Sequence, residues 1–311
     1  MTLRLGTRAS ALATTQSGHV ADALRAATGR EVELVPITTA GDVLTGPLAQ
    51  LGGTGVFVAA LREALLRGEC DLVVHSMKDL PTGPVEGLAI AAVPLRASQR
   101  DVLCARDGLT LDTLPQGAVV GSGSPRRVAQ LLRRRPDLEV RGIRGNVDTR
   151  LRKVFGDAEG AGEFDATVLA EAGLLRLGRT AEISDRFELD SWPTSAGQGA
   201  LAVEVRSDDT ALVDAVGRIG DGPSTAASLL ERAVLRRLEA GCAAPVGISA
   251  SHDGDGIALV SEVYSLDGAR AVRDERRVEA APDAEAVAAD VVATLLAAGA
   301  GELADLSGAA G

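Results

Sequence analysis

Over the first two hundred of 311 residues, short apolar runs rich in β-formers alternate with stretches of helical spacing, and this alternation constrains the fold most. Leu3–Gly6, Glu31–Thr38, Asp71–His75, Leu88–Val93, Asp101–Ala105, Ala118–Gly121, Ala166–Ala170 and Ala200–Val205 read as strands. A helix capped by Ser10 and running to about Ala27, and another over Val56–Leu66, carry apolar residues three and four apart. Such alternation argues for an α/β fold with mainly parallel sheets, since parallel neighbours need a crossover between them. After about Gly217 the texture changes. Pro223–Ala240 reads as one amphipathic helix, with Leu229, Leu230, Ala233, Val234 and Leu238 on one side. Val246–Ser251, Ile257–Ser265 and Ala271–Val278 follow as alternating strands, Asp253–Gly256 as a hairpin turn, and Ala284–Ala298 as a closing helix. That is the pattern of a small α+β domain, a sheet with two helices on one face. Thr45–Gly55, rich in glycine, reads as a mobile loop and Gly308–Gly311 as a frayed end; no internal repeat is apparent.

Charge and cysteine usage narrow the function classes. There are 32 Lys and Arg against 43 Asp and Glu, a net −11, with 2% aromatic residues, a poor composition for a nucleic-acid binder. Cys70, Cys104 and Cys242 are odd in number and scattered, which fits reduced thiols in a cytoplasmic protein. The N-terminus shows no secretory signal and no run approaches 18 apolar residues, so no membrane span is expected. His19, His75 and His252 have no ligand spacing, so no metal is expected, and the acidic surface points to a monomer. Against this background, Gly121–Lys153 holds ten Lys and Arg and three Asp and Glu.

That basic window is patterned. Val119–Gly121 is a strand end, Ser122-Gly123-Ser124 a turn, and Pro125-Arg126-Arg127 a helix start with Ser124 at N-cap and Pro125 at N1. Arg141–Arg150 repeats strand, glycine turn and helix. Free backbone N–H groups beside hydroxyls and guanidinium groups make an anion site, so Arg126, Arg127, Arg144 and Arg150 are read as anion-binding. Arg133, Arg134 and Arg135 are read as a solvated helix face. Two further polar sets follow strands: Thr7-Arg8-Ala9-Ser10, and His75-Ser76-Met77-Lys78-Asp79. At the carboxyl end of a strand in an α/β fold, Asp79 is a candidate general acid/base or cation stabiliser. His75 reads as scaffold and Met77 as core or pocket wall. Cys70 and Cys104 read as small buried hydrophobes, whereas Cys242 lies on a loop bounded by Gly241 and Pro245, open to either an inert or a nucleophilic role.

Taken together, RLGTRAS at Arg4–Ser10, GDV at Gly41–Val43, VHSMKDLP at Val74–Pro81 and SPRR at Ser124–Arg127 occur in one order. RGNVDTRL at Arg144–Leu151, GQGA at Gly197–Ala200 and ERAVLRRLEAGCAAPVG at Glu231–Gly247 complete it. The chain resembles the porphobilinogen deaminase (hydroxymethylbilane synthase) family nearly end to end. The resemblance implies an enzyme that condenses four porphobilinogen molecules into linear hydroxymethylbilane and releases four ammonia. It implies a dipyrromethane primer joined by thioether to Cys242, with Asp79 as the catalytic carboxylate and Lys78 beside it. Ser76, Lys78, Asp79, Ser122, Ser124, Arg126, Arg127 and Arg144 are the implied cofactor contacts. Arg8, Ser10, Phe57, Arg144, Arg150 and Gln198 are the implied substrate contacts. It further implies two α/β lobes like those of periplasmic binding proteins, at 1–94 with 196–217 and at 95–195, plus an α+β domain at 218–311 carrying the cysteine. In this sequence Gln50 and Thr54 stand where the family commonly has lysine, Gly123 where it has a hydroxyl residue and Ala240 where it has glycine. The rival reading is a bilobal protein that binds a small anion without catalysis, which leaves Cys242 and the third domain unexplained.

Overall fold

The computed structural model describes residues 2–37, 55–157, 160, 162–240 and 244–306. The chain divides into two compact units, Met1–Ala97 with Gly199–Thr225, and Ser98–Gln198 with Ala226–Gly311.

Unit one is built on a five-stranded sheet of β1 (Leu3–Thr7), β2 (Val32–Pro36), β3 (Leu72–Ser76), β4 (Leu88–Ala92) and a late strand, Leu201–Arg206. The late strand is β10 in chain order, and the sheet runs β2-β1-β3-β10-β4. β1 pairs in parallel with β2 and β3, while β10 enters antiparallel between β3 and β4. Helix α1 (Ala11–Thr28) starts where the Ser10 hydroxyl accepts from Ala13 N and stops at Gly29, whose left-handed φ of 68° only glycine adopts readily. Its Val20, Ala21 and Leu24 bury against Leu3, Leu5, Val32, Leu72 and Val203 of the sheet. Helix α2 (Gly55–Leu66) packs Leu61, Ala64 and Leu65 with Cys70 and Val73.

Unit two repeats the plan without sequence similarity. Its larger sheet combines β5 (Asp101–Ala105), β6 (Val119–Gly121), β7 (Glu139–Arg141), β8 (Ala166–Ala170) and β9 (Asp185–Arg186) in the order β7-β6-β8-β5-β9. β6 is parallel to β7 and β8, and β5 is antiparallel to β8 and β9. Helices α3 (Pro125–Arg134), α4 (Val147–Phe155) and α5 (Glu171–Arg176) lie between these strands in the chain. Mainly parallel sheets were expected, yet half the pairings in each large sheet are antiparallel. β10 and β5 are not the second strand of a crossover with their neighbours, so the handedness rule for parallel units does not bind them.

After α6 (Thr210–Gly217) and α7 (Gly222–Arg237), β11 (Val246–Asp253), β12 (Gly256–Tyr264) and β13 (Ala271–Glu279) form an antiparallel meander. Its first turn closes on Asp253 paired with Gly256, with Gly254 at φ 63°. Leu230, Val234 and Leu238 at the α7 end, with Val291 and Leu295 of α8 (Ala284–Ala297), bury against Ile248, Ile257, Leu259 and Val263. Alternate residues of these strands thus form one apolar face covered by two helices.

Candidate active site

Parallel pairing brings two of the sequence clusters to one sheet edge. β1 and β3 are neighbours running the same way, so Arg8 and Ser10 after β1 lie at the same carboxyl edge as Ser76, Lys78 and Asp79 after β3. Ser76 ends β3, and Met77–Asp79 form one 3-10 turn whose Met77 N–H donates to Ala200 O at 3.0 Å. Met77 is wholly buried, which anchors the turn and leaves Lys78 exposed and Asp79 half-buried. Burial pushes the Asp79 carboxyl above its ordinary range, against the opposing charges of Lys78, Arg8 and His75. Gln16 Nε2 on α1 donates to Ser76 Oγ at 3.1 Å, and Ser17 Oγ donates to Thr7 Oγ1 at 2.8 Å. Helix α1 is thus pinned to the edge by side chains that the motif reading passed over.

Behind this edge lies a buried ionic group. His75 Nε2 is 3.1 Å from Glu204 Oε2, and Arg62 donates to both Glu204 oxygens at 2.9 and 2.7 Å. Glu204 is 3% exposed and sits where the β10–β4 register shifts. Burial alone would raise its carboxyl, but the approach of His75 and the two bonds from Arg62 outweigh that and bring it down to about 2. His75 is scaffold, as its position on the strand implies.

The second edge belongs to unit two. β6, β7 and β8 run parallel, so the Ser122–Ser124 turn and the Gly142–Asn146 turn share one carboxyl edge, joined by Ser122 N–H donating to Arg141 O at 2.9 Å. Ser124 occupies the N-cap of α3 and Pro125 its first turn, but the Ser124 hydroxyl makes no capping bond. Asn146 caps α4 by accepting from Thr149 N–H at 2.8 Å. Arg144 is exposed and donates to no protein group among the described residues. Arg150 Nε donates to Gly145 O at 2.9 Å; its guanidinium is pushed down by burial and then by the like charges of Arg127 and Arg144. The Arg150 guanidinium thus sits near two further cations, Arg127 and Arg144, as an anion site requires.

Arg126 and Arg127 face a partner that sequence spacing does not reveal. Asp101, completely buried at the start of β5, pairs with Ala170 at the end of β8, so an antiparallel strand delivers its first residue to this same edge. Its Oδ1 accepts from Arg127 at 2.6 Å and from Gln198 Nε2 at 2.8 Å. Its Oδ2 accepts from Arg126 at 2.9 Å, Arg127 Nε at 3.1 Å and Trp192 Nε1 at 3.1 Å. These charges hold the Asp101 carboxyl far below the usual carboxylate range despite its burial. Arg126 also reaches Gln130 Oε1 at 2.7 Å, and Gln130 Nε2 donates to Tyr264 Oη at 3.0 Å. Gln198 is fully buried, its amide also donating to Gln99 O at 2.7 Å. The arginine pair therefore belongs to a buried network as well as to an edge.

Other placements refine the sequence reading. Of the run expected to coat a solvated face, Arg133 is exposed, Arg134 lies over the Trp192 ring at 5.3 Å, and Arg135 binds Asp137 and the carbonyls of Leu111 and Leu114. Residue 135 ends the helix, so its side chain turns back onto the preceding loop instead of into water. Cys70 and Cys104 are buried, and burial pushes the Cys104 thiol up to about 12. Cys242, the Phe57 side chain, Gly41–Val43, Gln50, Thr54 and Gly308–Gly311 lie outside the described residues, as does most of the Thr45–Gly55 loop. Asp101, Glu204 and Gln16 are the residues that motif reading missed. A charged residue opening an apolar strand, as in Asp101–Ala105, was the available signal for the first.

Comparison with known proteins extends these findings. Residues 3–214 match the family model described as "Porphobilinogen deaminase, dipyromethane cofactor binding domain", and residues 225–297 match "Porphobilinogen deaminase, C-terminal domain". The porphobilinogen deaminase of Leifsonia xyli subsp. xyli is 51% identical over 320 residues, covering 98% of this chain and 95% of that one. That of Thermobifida fusca is 52% identical, covering 92% and 88%. Among solved structures, the methionine-binding protein MetQ overlaps with a TM-score of 0.44 at 13% identity, covering 75% of this chain and 93% of that one.

Proposed function

The chain belongs to the porphobilinogen deaminase family, and on that premise we propose how its own side chains divide the work. The enzyme is a transferase, hydroxymethylbilane synthase, which joins four porphobilinogen molecules head to tail into linear hydroxymethylbilane and releases four ammonia. Its cofactor is dipyrromethane, which when bound supplies the pyrrole carbon to which the first substrate is joined. In this reading Cys242 holds it by thioether.

The donor set suits a group that bears carboxylate arms on pyrrole rings. Three of the five N–H bonds of Arg127 are spent on Asp101 and Val168 O, leaving two for a ligand. Arg144 has all of its own available among the described residues, and Ser122 and Ser124 hydroxyls stand at the same edge. Arg127, Arg144 and Arg150 would hold acetate and propionate groups, with Arg126 backing Arg127 through their shared Asp101. At the other edge Arg8 and Ser10 would take further carboxylates; the family resemblance alone makes Phe57 a substrate contact. Gln198, buried as it is, would act through Asp101.

Asp79 carries the chemical reading, because it is the carboxyl group half-withdrawn from water at the edge where Arg8, Ser76 and Lys78 converge. Its oxygens would accept from a pyrrole N–H, and its charge would offset the positive charge that develops on the substrate ring as ammonia departs. Raised by burial, the carboxyl also holds a proton more readily than a surface aspartate and would hand it to the leaving amine. The Lys78 ammonium next to it, with Arg8 and His75, opposes that rise. Asp79→Asn keeps the shape and removes the charge. Turnover should fall by roughly 100-fold or more with the circular dichroism unchanged; turnover within a few-fold of wild type would remove Asp79 from this role.

Attachment has its own test. The intact mass of native protein should exceed the chain mass by one dipyrromethane, and Cys242→Ser should abolish the increment. We also read the protein as a cytoplasmic monomer that works on a small substrate without nucleic acid, membrane or metal, which its net charge of −11 favours. Sedimentation at working concentration checks the monomer.

A further inference from the structure

We propose that Asp101 is a positioning residue for cofactor and substrate carboxylates, acting through Arg127. The inference rests on the reading of Arg127 as a carboxylate holder and adds the group that aims it. Asp101 accepts from the Nε and one terminal nitrogen of Arg127 at 3.1 and 2.6 Å, a side-on two-point grip that fixes the guanidinium plane. Val168 O takes a third N–H at 2.9 Å. The two N–H bonds left over then point in directions set by Asp101. The carboxylate is itself held by Gln198 Nε2, Trp192 Nε1 and Arg126, so it cannot swing. Every one of these donors is buried within unit two.

Charge and position make opposite demands here, which separates the two roles. One carboxylate sits among two guanidinium groups, and Arg150 and Arg144 add like charge close by. If Asp101 mattered only as a negative charge, its removal would leave the lobe more positive and would tighten anion binding. If it positions Arg127, its removal frees the guanidinium and weakens binding despite the gain in positive charge. The sign of the change therefore reports the role.

The chain holds a single tryptophan, and its indole N–H is bonded to Asp101, so intrinsic emission reads the network directly. The test uses full-length Asp101→Asn, Arg127→Gln and Trp192→Phe, each checked for folding by circular dichroism. Expected for Asp101→Asn are a KM for porphobilinogen raised about tenfold, the size of one charge-assisted hydrogen bond, and a purified population only partly carrying dipyrromethane by intact mass. Its Trp192 emission should also respond less to added porphobilinogen than that of wild type. Trp192→Phe removes one donor to Asp101 and keeps every charge; a KM rise of about threefold is expected, and it decides the matter if Asp101→Asn does not fold. Unchanged or lowered KM with full loading in a folded variant overturns the proposal. Arg127→Gln separates the premise. If it loads and binds normally, the carboxylate reading of Arg127 fails; if it is impaired while Asp101→Asn is not, only the positioning inference fails.

Discussion

Glu204→Gln tests whether the buried group behind Asp79 is held by charge. Glu204 lies 3% exposed between Arg62 and His75, and its carboxyl is brought from its ordinary value of 4.5 down to about 2. A carboxyl lowered in the folded state adds stability that is complete above its unfolded pKa and is lost as pH falls toward its folded one. A drop of that size corresponds to about 3 kcal/mol at neutral pH, of which roughly 2 kcal/mol remains near about pH 3.5. The glutamine side chain keeps the volume and one acceptor but cannot carry this linkage. The variant should therefore be destabilised by about 3 kcal/mol at neutral pH, and the gap to wild type should close by about a third on acidification. Urea unfolding followed by amide exchange across β3 and β10 confines the measurement to unit one. A gap that stays constant over the acid range, or one below about 1 kcal/mol at neutrality, would refute the charge argument.

Three other outcomes are expected. Gly145 has φ +112°, and a Cβ there would lie 2.6 Å from Thr149 Cγ2, so Gly145→Ala should cost about 1–3 kcal/mol by thermal melting and raise KM by displacing the Arg150 contact. Arg150→Gln should leave the fold intact, since burial and repulsion already disfavour its charge, yet slow the later condensations more than the first when enzyme-bound intermediates are resolved by mass. Cys104, its thiol pushed up to about 12, should resist iodoacetamide in native protein at mildly basic pH; peptide mapping that finds it alkylated before unfolding would contradict its burial.

The sequence made the local grammar legible and left the long-range pairings hidden. Strand, turn and cap signals placed Ser10 before α1, Pro125 at the start of α3 and Lys78-Asp79 after β3, because those features depend on neighbours within a few residues. Placing Arg8 beside Asp79 needed only the parallel pairing of β1 with β3, the commonest arrangement for such a chain. Asp101 and Glu204 were not legible for a different reason. Each reaches its site on a strand that runs against its neighbours, and no periodicity records the direction in which a distant segment inserts. The arginines of the basic window likewise showed their charge but not their employment. Arg127 is 26 residues from its carboxylate, whereas Arg135 is 2 residues from Asp137. The shared strand order of the two large sheets left no trace as a repeat, since sheet topology constrains burial and direction without fixing residue identity.

The interposed β10 also dictates an order of assembly. Sheet one can pair β1, β2 and β3 early, but β4 joins it only through β10, whose last residue is Arg206. Every strand of the larger unit-two sheet lies between Asp101 and Arg186, so that sheet has all its parts before β10 has been synthesised. On a ribosome the later-encoded lobe closes its sheet first, while the lobe that bears Asp79 waits with the β3 edge open. With the unit-two sheet already closed inside it, the segment from β4 to β10 is no longer a flexible loop, and the edge that bears Asp79 becomes rigid only when β10 docks between β3 and β4.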